Sequence, residues 1–313
     1  MPSPLDQLSA GALDWVRGNL DHFDPYAASA RSATHKQAKA ALELALLCHC
    51  SERLDGTHDE RLGGTHDERL GEATALVRKL WQHPDFPRLF ETHPQVASSY
   101  ALIFAALAPG GIDDTVCRAA LARLTPDFLS PHGKSPLKRI EIRYFADKAG
   151  VRHQVEPYAE LVPRSPLVTL HEAEPQNGPP LTNPQGYSLT HAAFYLGDYG
   201  RADPGLTGDA LARARDLVCR MLGHCVEHDR WDLAAELVTT QFILGMDPLR
   251  TPSGAAAVEC LLRAQRADGA IPARTAALRG AQTASAEEFF QKAYHPTLVT
   301  ALMALIVSSA RRS

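Results

Sequence analysis

The sequence predicts an all-α protein in which six inner helices form a ring and six outer helices surround it, an (α/α)6 toroid. Apolar residues recur with a helical period in most segments, and few segments alternate with a period of two. Alanine and leucine, both strong helix formers, dominate these segments, and prolines and glycines cluster between them. The predicted helices also form pairs. In each pair one helix is amphipathic, and the other is apolar on nearly all sides and therefore has to be buried.

The predicted helices follow the chain as one domain, residues 1–313. Periodicity places them at 4–19, 33–50, 70–83, 94–108, 113–124, 135–149, 185–199, 207–228, 230–245, 253–266 and 292–310. A short helix near 155–161 completes the outer set, inside a proline-rich irregular segment at 151–183. Residues 267–291 are predicted to be mostly loop. The inner helices are those that are apolar all round, namely 33–50, 94–108, 135–149, 185–199, 230–245 and 292–310.

A short tandem repeat interrupts the helices. The segment from Gly56 to Gly63 reads GTHDERLG, and the next eight residues repeat it without change. An insertion is tolerated best in an exposed loop, because lengthening a loop adds little closure entropy. We therefore predict an inserted, solvated loop at 54–71. A metal clip made of His58, Asp59, His66 and Asp67 is the alternative, and we expect no metal there.

Composition excludes several classes of protein. The chain has 36 acidic and 32 basic residues, a formal charge of −4, so no positive excess favours nucleic acid or an anionic membrane. No apolar run reaches the roughly 18 residues of a membrane span, and the first residues lack the pattern of a signal peptide. Nucleotide-binding glycine motifs are absent. We expect a cytoplasmic protein with no nucleic-acid or membrane partner and no cofactor.

Residues 261–272, LLRAQRADGAIP, resemble the L-L-x-x-Q-x-x-D-G-x-x-P turn of α/α-toroid proteins, which include terpene cyclases and the β-subunits of protein prenyltransferases. Three further segments, YSLTHAAFYLGDYG, RWDLAAEL and YHPTLV, resemble an actinobacterial helical family found among natural-product biosynthetic proteins. The resemblance implies a toroid with a role in antibiotic or other natural-product biosynthesis. The D-x-D-D motif of class II terpene cyclases is absent, as are the zinc motifs of lanthionine cyclases.

Polar residues are concentrated near the starts of the inner helices. They are His35, Lys36 and Lys39 in the first, His93 at the second, Arg139 and Arg143 in the third, Tyr187, His191, Tyr195 and Asp198 in the fourth, Asp232 and Glu236 in the fifth, and Tyr294 and His295 in the last. The four residues of the fourth helix are spaced four, four and three apart, so they share one face. Burying so many ionisable groups is unfavourable unless they are paired or solvated. The pattern therefore predicts a functional pocket at one end of the ring.

We assign roles by residue type. The predicted catalytic residues are His191, Glu236, His295, Tyr195 and Asp232, and the predicted substrate-binding residues are Tyr187, Tyr294, Arg139, Arg143 and Asp198. Structural interpretations stay open: His191 as a core histidine, Asp232 as an acid favoured by the helix dipole, and the two arginines as an ion-pair cluster. The spacing of His224 and His228 is compatible with zinc, but both residues lie on an outer helix.

The predicted function is that of a metal-independent enzyme acting on a small polar or anionic substrate by ring formation, elimination or isomerisation. Buried histidine and glutamate side chains are suited to acid–base chemistry because burial tunes their pKa values toward neutrality. The resemblance favours ring formation, for example an amine displacing a sulfate within one molecule, as in aziridine-forming cyclases. The alternative is a non-catalytic ligand-binding or scaffold protein that engages a partner or carrier protein through 207–228 or 267–291.

Overall fold

The computed structural model describes residues 3–27, 35–55, 68–171, 179–273 and 285–312, which contain helices and turns and no β-strand. The all-α prediction is therefore confirmed. In chain order the helices are α1 (Pro4–Gly18), α2 (Leu20–Phe23), α3 (His35–Asp55), α4 (Glu68–Trp81), α5 (Arg88–Glu91), α6 (Pro94–Ala106), α7 (Thr115–Leu121), α8 (Pro136–Ala149), α9 (Tyr158–Leu161), α10 (Pro166–Thr169), α11 (Asn183–Leu196), α12 (Gly208–Glu227), α13 (Trp231–Ile243), α14 (Pro252–Ala264) and α15 (Ala286–Arg312).

Helix starts are set by local capping. The side chains of Ser3, Ser135, Thr182 and Thr251 each accept a hydrogen bond from a backbone N–H in the first turn of α1, α8, α11 and α14, respectively. Each of these helices also has a proline in its first turn, where its missing N–H costs nothing. Gly150 ends α8 in a left-handed conformation with φ 65°. Such local signals explain why these bounds lie close to the predicted ones.

Several predicted bounds differ from the observed ones, and two of them change how much of the chain is left for loops. α15 begins at Ala286 and not near residue 292, because Ser285 and Glu288 form reciprocal hydrogen bonds between side chain and backbone that cap it. α3 continues to Asp55, so less of 54–71 is left for a loop. Residues 56–67, including the alternative metal clip, lie outside the described residues, as do 172–178 and 274–284. The short helix predicted near 155–161 is confirmed as α9.

The helices predicted to be buried contact one another in a closed order. α3 packs against α6, α6 against α8, α8 against α11, α11 against α13, α13 against α15, and α15 against α3. The burial is most complete in α13, where every residue from Leu233 to Gln241 is buried. α1, α4, α7, α12 and α14 contact one or more of these helices, as amphipathic partners should. None of the described helices combines the length and apolarity that crossing a membrane requires.

Candidate functional site

A buried carboxylate lies between two imidazoles. Glu236 on α13 is 2% exposed, and its Oε2 accepts a hydrogen bond of 2.6 Å from the Thr190 hydroxyl on α11. His191 Nε2 lies 3.8 Å from the same oxygen, and His295 Nε2, on α15, lies 3.7 Å from Oε1. Three neighbouring helices of the closed order thus bring together the three residues predicted to carry acid–base chemistry.

His295 has a second carboxylate partner that the sequence analysis missed. Its Nδ1 lies 2.8 Å from Glu43 Oε2 on α3, and Lys39 Nζ, one turn earlier, lies 3.5 Å from Glu43 Oε1. The signal was present in the sequence: Glu43 interrupts the apolar run ALELA much as Glu236 interrupts AAELV. Glu43, Thr190, His191, Glu236 and His295 are called the His–Glu cluster below.

Three side chains of the cluster have shifted pKa values, and the shifts differ in direction. Burial raises the pKa of Glu236, and the charges of His191 and His295 offset this only in part. Burial by itself would also raise the pKa of Glu43, but the charge and the hydrogen bond of His295 have a larger effect and lower that pKa. Burial lowers the pKa of His295, but Glu43 and then Glu236 outweigh it and raise that pKa to about 9. At neutral pH Glu43 is ionised, His295 is charged, and Glu236 holds a proton more readily than an ordinary glutamate.

Two predicted tyrosines adjoin the cluster. The Tyr187 hydroxyl donates a hydrogen bond to Asp232 Oδ2. Asp232 was predicted to be catalytic and lies one helical turn before Glu236 in α13, but its carboxylate already has this tyrosine as a partner. The ring centroid of Tyr195 lies 6.1 Å from that of His191. Burial, followed by the charges of Glu141 and Glu236, raises the pKa of Tyr195, and burial with Asp232 raises that of Tyr187. Both phenols therefore stay protonated at neutral pH.

The same end of the helices carries further polar groups. The rings of His35 and His93 stack with centroids 3.8 Å apart, and His35 also stacks on Tyr100 at 5.2 Å. Lys138 Nζ on α8 contacts Glu141 at 2.5 Å and Ser99 at 2.7 Å. α3, α6 and α8 thus add polar side chains near the starts of the helices, as predicted.

Tyr294 occupies an aromatic core. It is 6% exposed, its ring stacks on Phe290 at 5.4 Å, and it meets Phe23 of α2 edge-on at 6.3 Å. Burial, and then the charges of Glu43 and Tyr100, raise the pKa of its hydroxyl. The ring therefore packs between α15 and α2, although the residue directly precedes His295 in the chain.

Arg139 and Arg143 bind the irregular segment that follows α8. Arg139 Nη1 donates to Glu156 Oε1 at 2.6 Å, and Arg143 Nη1 donates to the carbonyls of Val155 and Glu156 at 3.0 Å each. Arg143 also lies over the Tyr158 ring, 5.0 Å from its centroid. Within the described part of the chain, neither arginine forms a hydrogen bond with the His–Glu cluster. Their geometry matches the ion-pair interpretation.

Asp198 lies outside the helical face on which it was predicted. α11 ends at Leu196, and Asp198 and Tyr199 follow in a 3-10 turn with φ 42° and 54°. The prediction that Asp198 shares one helical face with Tyr187, His191 and Tyr195 was therefore wrong, because the helix ends before Asp198. Gly197 permits the turn to lie close to α13, since a Cβ there would be 2.4 Å from Ile243.

The Asp198 carboxylate ties together three segments at the far end of the helices. It accepts hydrogen bonds from Arg53 Nη1 at 2.9 Å and Nη2 at 2.6 Å and from the Tyr144 hydroxyl at 2.8 Å, and Lys148 Nζ lies 2.9 Å away. Burial by itself would raise the pKa of Asp198, but the hydrogen bonds from Arg53, Lys148 and Tyr144 have a larger effect and lower that pKa to about 2. Arg53 lies ten residues beyond Glu43 in α3, roughly 15 Å along the helix. These four residues form the Asp198 cluster.

A cleft of about 670 Å³ opens beside the Asp198 cluster. Its lining combines apolar residues with tyrosines and charged side chains, the latter being Tyr144, Asp147, Lys148, Tyr158, Tyr195, Asp198 and Asp203. Its volume lies within the range of small-molecule sites, about 300–1,000 Å³. Tyr195 borders both this cleft and His191.

Metal ligation has no support among the described residues, where no group of three or more His, Cys, Asp or Glu is arranged to hold an ion. His224 and His228 stack on the outer helix α12 with centroids 4.0 Å apart. His228 Nδ1 lies 3.0 Å from the His224 carbonyl oxygen, so the pair has a local contact of its own.

Comparison with known proteins gives one match. A family model described as a domain of unknown function, DUF6895, matches residues 9–305. The matched range includes the His–Glu cluster and the Asp198 cluster. No curated protein and no solved structure matches the chain.

Proposed function

Because this chain belongs to the DUF6895 family, whose description assigns no activity, we propose its function from its own side chains. It is an acid–base enzyme that acts on a small polar molecule at the His–Glu cluster. The observation that carries the proposal is the buried Glu236 carboxylate between His191 and His295. A buried carboxylate with a raised pKa, beside imidazoles at the end of a helix bundle, is typical of sites that transfer protons.

The arrangement proposed for the chain is the (α/α)6 toroid. The closed order of contacts from α3 through α15 supports a ring with a central cavity. The His–Glu cluster draws on four of the six helices, α3, α11, α13 and α15, which is expected where side chains converge on one axis. The ring brings together groups that are far apart in the sequence, such as Glu43 and His295.

In the proposed reaction Glu236 is the acid and His191 the base. The Thr190 hydroxyl donates to Glu236 Oε2 and fixes its orientation, and the His191 side chain is 41% exposed and thus accessible to a substrate. An acid and a base 3.8 Å apart can return a proton to each other after turnover. Such a pair suits reactions in which a base removes a proton from the substrate, namely cyclisation, elimination and isomerisation, with the acid delivering a proton where the leaving or receiving atom needs one. The proposed chemistry uses neither metal nor cofactor.

Ring formation in natural-product biosynthesis is the version favoured by the resemblance to actinobacterial biosynthetic proteins. The amine nitrogen of the substrate attacks a carbon that carries a sulfate-like group. The C–N bond forms as the C–O bond breaks, the leaving anion keeps the electron pair of the C–O bond, and His191 takes the ammonium proton and then releases it to solvent. Where the leaving oxygen is more basic than that of sulfate, Glu236 donates its proton to it.

Turnover by variants tests this proposal. Candidate substrates follow from the enzymes encoded next to the gene, and products are detected by mass spectrometry together with release of the anion. Glu236→Gln and His191→Asn are expected to lower kcat at least about 100-fold, the usual contribution of a positioned acid or base. Glu259→Gln, at a 74% exposed side chain on α14, is the matched control. Full turnover by both site variants would overturn the assignment.

A non-catalytic ligand-binding or scaffold protein is the second candidate. The observation that favours it is the cleft of about 670 Å³, which lies beside the Asp198 cluster and is not lined by Glu236. In a binding protein, a ligand occupies this cleft without conversion, and Glu236→Gln leaves its affinity unchanged. A crystal structure with the ligand, together with a turnover assay on the same compound, separates the two functions.

A further inference from the structure

We infer that His295, held by Glu43, binds an oxyanion group of the ligand through its free Nε2–H, and that Glu43 is the positioning residue for this contact. The inference rests on the proposed function, because it assigns a substrate class to the same site. The arginines that the sequence suggested for an anion are engaged with residues 155–156. Recognition of an anion at this site therefore requires another cation.

The Glu43 contact fixes how the His295 ring is turned. Glu43 Oε2 occupies the Nδ1 side at 2.8 Å, so Nε2 is directed toward Glu236. The distance from Nε2 to Glu236 Oε1 is 3.7 Å, which is too long for a hydrogen bond. Among the described residues, Nε2 has no hydrogen-bond partner. The side chain is 32% exposed, which leaves part of the ring accessible to a ligand.

The charges around His295 favour a donor over a base. Three helices pack against α15 around His295. The charged residues come from two of them: Glu43 and Lys39 from α3, and Glu236 and Asp232 from α13. The third helix, α1, contributes buried residues that are apolar apart from the indole N–H of Trp15. Asp232 already accepts from Tyr187. The pKa of His295 is about 9, so the ring carries both N–H groups at neutral pH.

The two histidines beside Glu236 therefore have different tasks. Among the described residues, His191 has Glu236 as its one ion-pair partner and, unlike His295, no second carboxylate, so it is assigned the role of base. His295 forms an ion pair with Glu43 through Nδ1 and binds the negative group of the substrate through Nε2. A carboxylate, phosphate or sulfate oxygen at Nε2 would lie next to Glu236 Oε1, which is where a protonated Glu236 can donate a hydrogen bond to it. The substrate class is therefore an oxyanion-bearing molecule.

NMR of the imidazole nitrogens tests the inference, with inorganic sulfate as the probe. In the wild type, the ring signal that His295→Gln removes is expected to carry both N–H groups at about pH 7 and to shift saturably with sulfate. In Glu43→Gln, its titration midpoint falls by at least about one pH unit, and the apparent Kd for sulfate rises at least about fivefold. Glu259→Gln is the control for both measurements, and the amide spectrum verifies that each variant is folded.

Each outcome bears on one hypothesis. A His295 ring that is neutral at pH 7, an unchanged midpoint in Glu43→Gln, or the absence of a sulfate response at Nε2 would overturn the inference. If Glu43→Gln does not fold, the sulfate response of the wild type and its loss in His295→Gln still decide the matter. If sulfate binds as expected but Glu236→Gln and His191→Asn keep full turnover, the proposed function fails while the anion site stands.

Discussion

Replacing His295 by glutamine removes a charge that the folded state stabilises. The pKa of His295 is about 9 in the folded protein, against a usual value of 6.5. At about 1.4 kcal/mol per pH unit, the folded state gains about 3 kcal/mol from keeping the ring charged, and solvent screening at a one-third exposed side chain reduces this to about 2 kcal/mol. Because the pKa is raised on folding, this stabilisation is complete below about pH 6.5 and is lost as the pH rises through about 9.

The assay is urea unfolding of wild type and His295→Gln at several pH values from about 6 to about 10. The free energy of unfolding of the wild type, relative to the variant, is expected to fall by about 2 kcal/mol across this range. Other titrating groups cancel in this difference unless they contact His295. His228→Gln on the outer helix α12 is the control, and its difference from the wild type is expected to vary by less than about 1 kcal/mol. A His295→Gln difference that stays constant with pH would refute the stabilised charge.

Three further predictions concern structure. Asp198→Asn is expected to lower the free energy of unfolding by about 3 kcal/mol at neutral pH, because it leaves Arg53 and Lys148 without their carboxylate, and an unchanged urea midpoint would contradict this. Gly197→Ala is expected to cost about 1–3 kcal/mol, since its Cβ meets Ile243 at 2.4 Å, and a thermal melt equal to that of the wild type would disprove the close contact. Arg143→Ala is expected to speed limited proteolysis between α8 and α9 at least about fivefold, and an unaltered cleavage rate would show that the arginine does not anchor that segment.

Periodicity was sufficient to predict the long helices, because it is a local property of the sequence, but it did not predict the four-residue helices α2, α5 and α10. Thr182 before Asn183-Pro184, or Ser135 before Pro136, marks a helix start without any knowledge of the neighbouring helices. The start of α15 was missed although Ser285 and Glu288 form the same kind of cap. That error came from giving the apolar run more weight than the polar turn before it.

Side-chain partners were predictable only where one helix supplied the geometry. The spacing of Tyr187 and His191 predicted that both share one face of α11, and in the structure both contact α13, Tyr187 at Asp232 and His191 at Glu236. The same spacing failed for Asp198, since φ of 42° takes the chain out of the helix before that residue. Glu43 could have been singled out because it interrupts an apolar run as Glu236 does, but its pairing with His295, 252 residues away, lies beyond any spacing rule.

The Asp198 cluster has a consequence for how this fold can change. It fastens the last turns of α3 and α8 to the end of α11, whereas the His–Glu cluster lies roughly 15 Å away along α3. Substitutions at the two ends are therefore expected to act on stability almost additively. A designer who keeps the Asp198 cluster can exchange side chains at the opposite end, while the helices hold their positions.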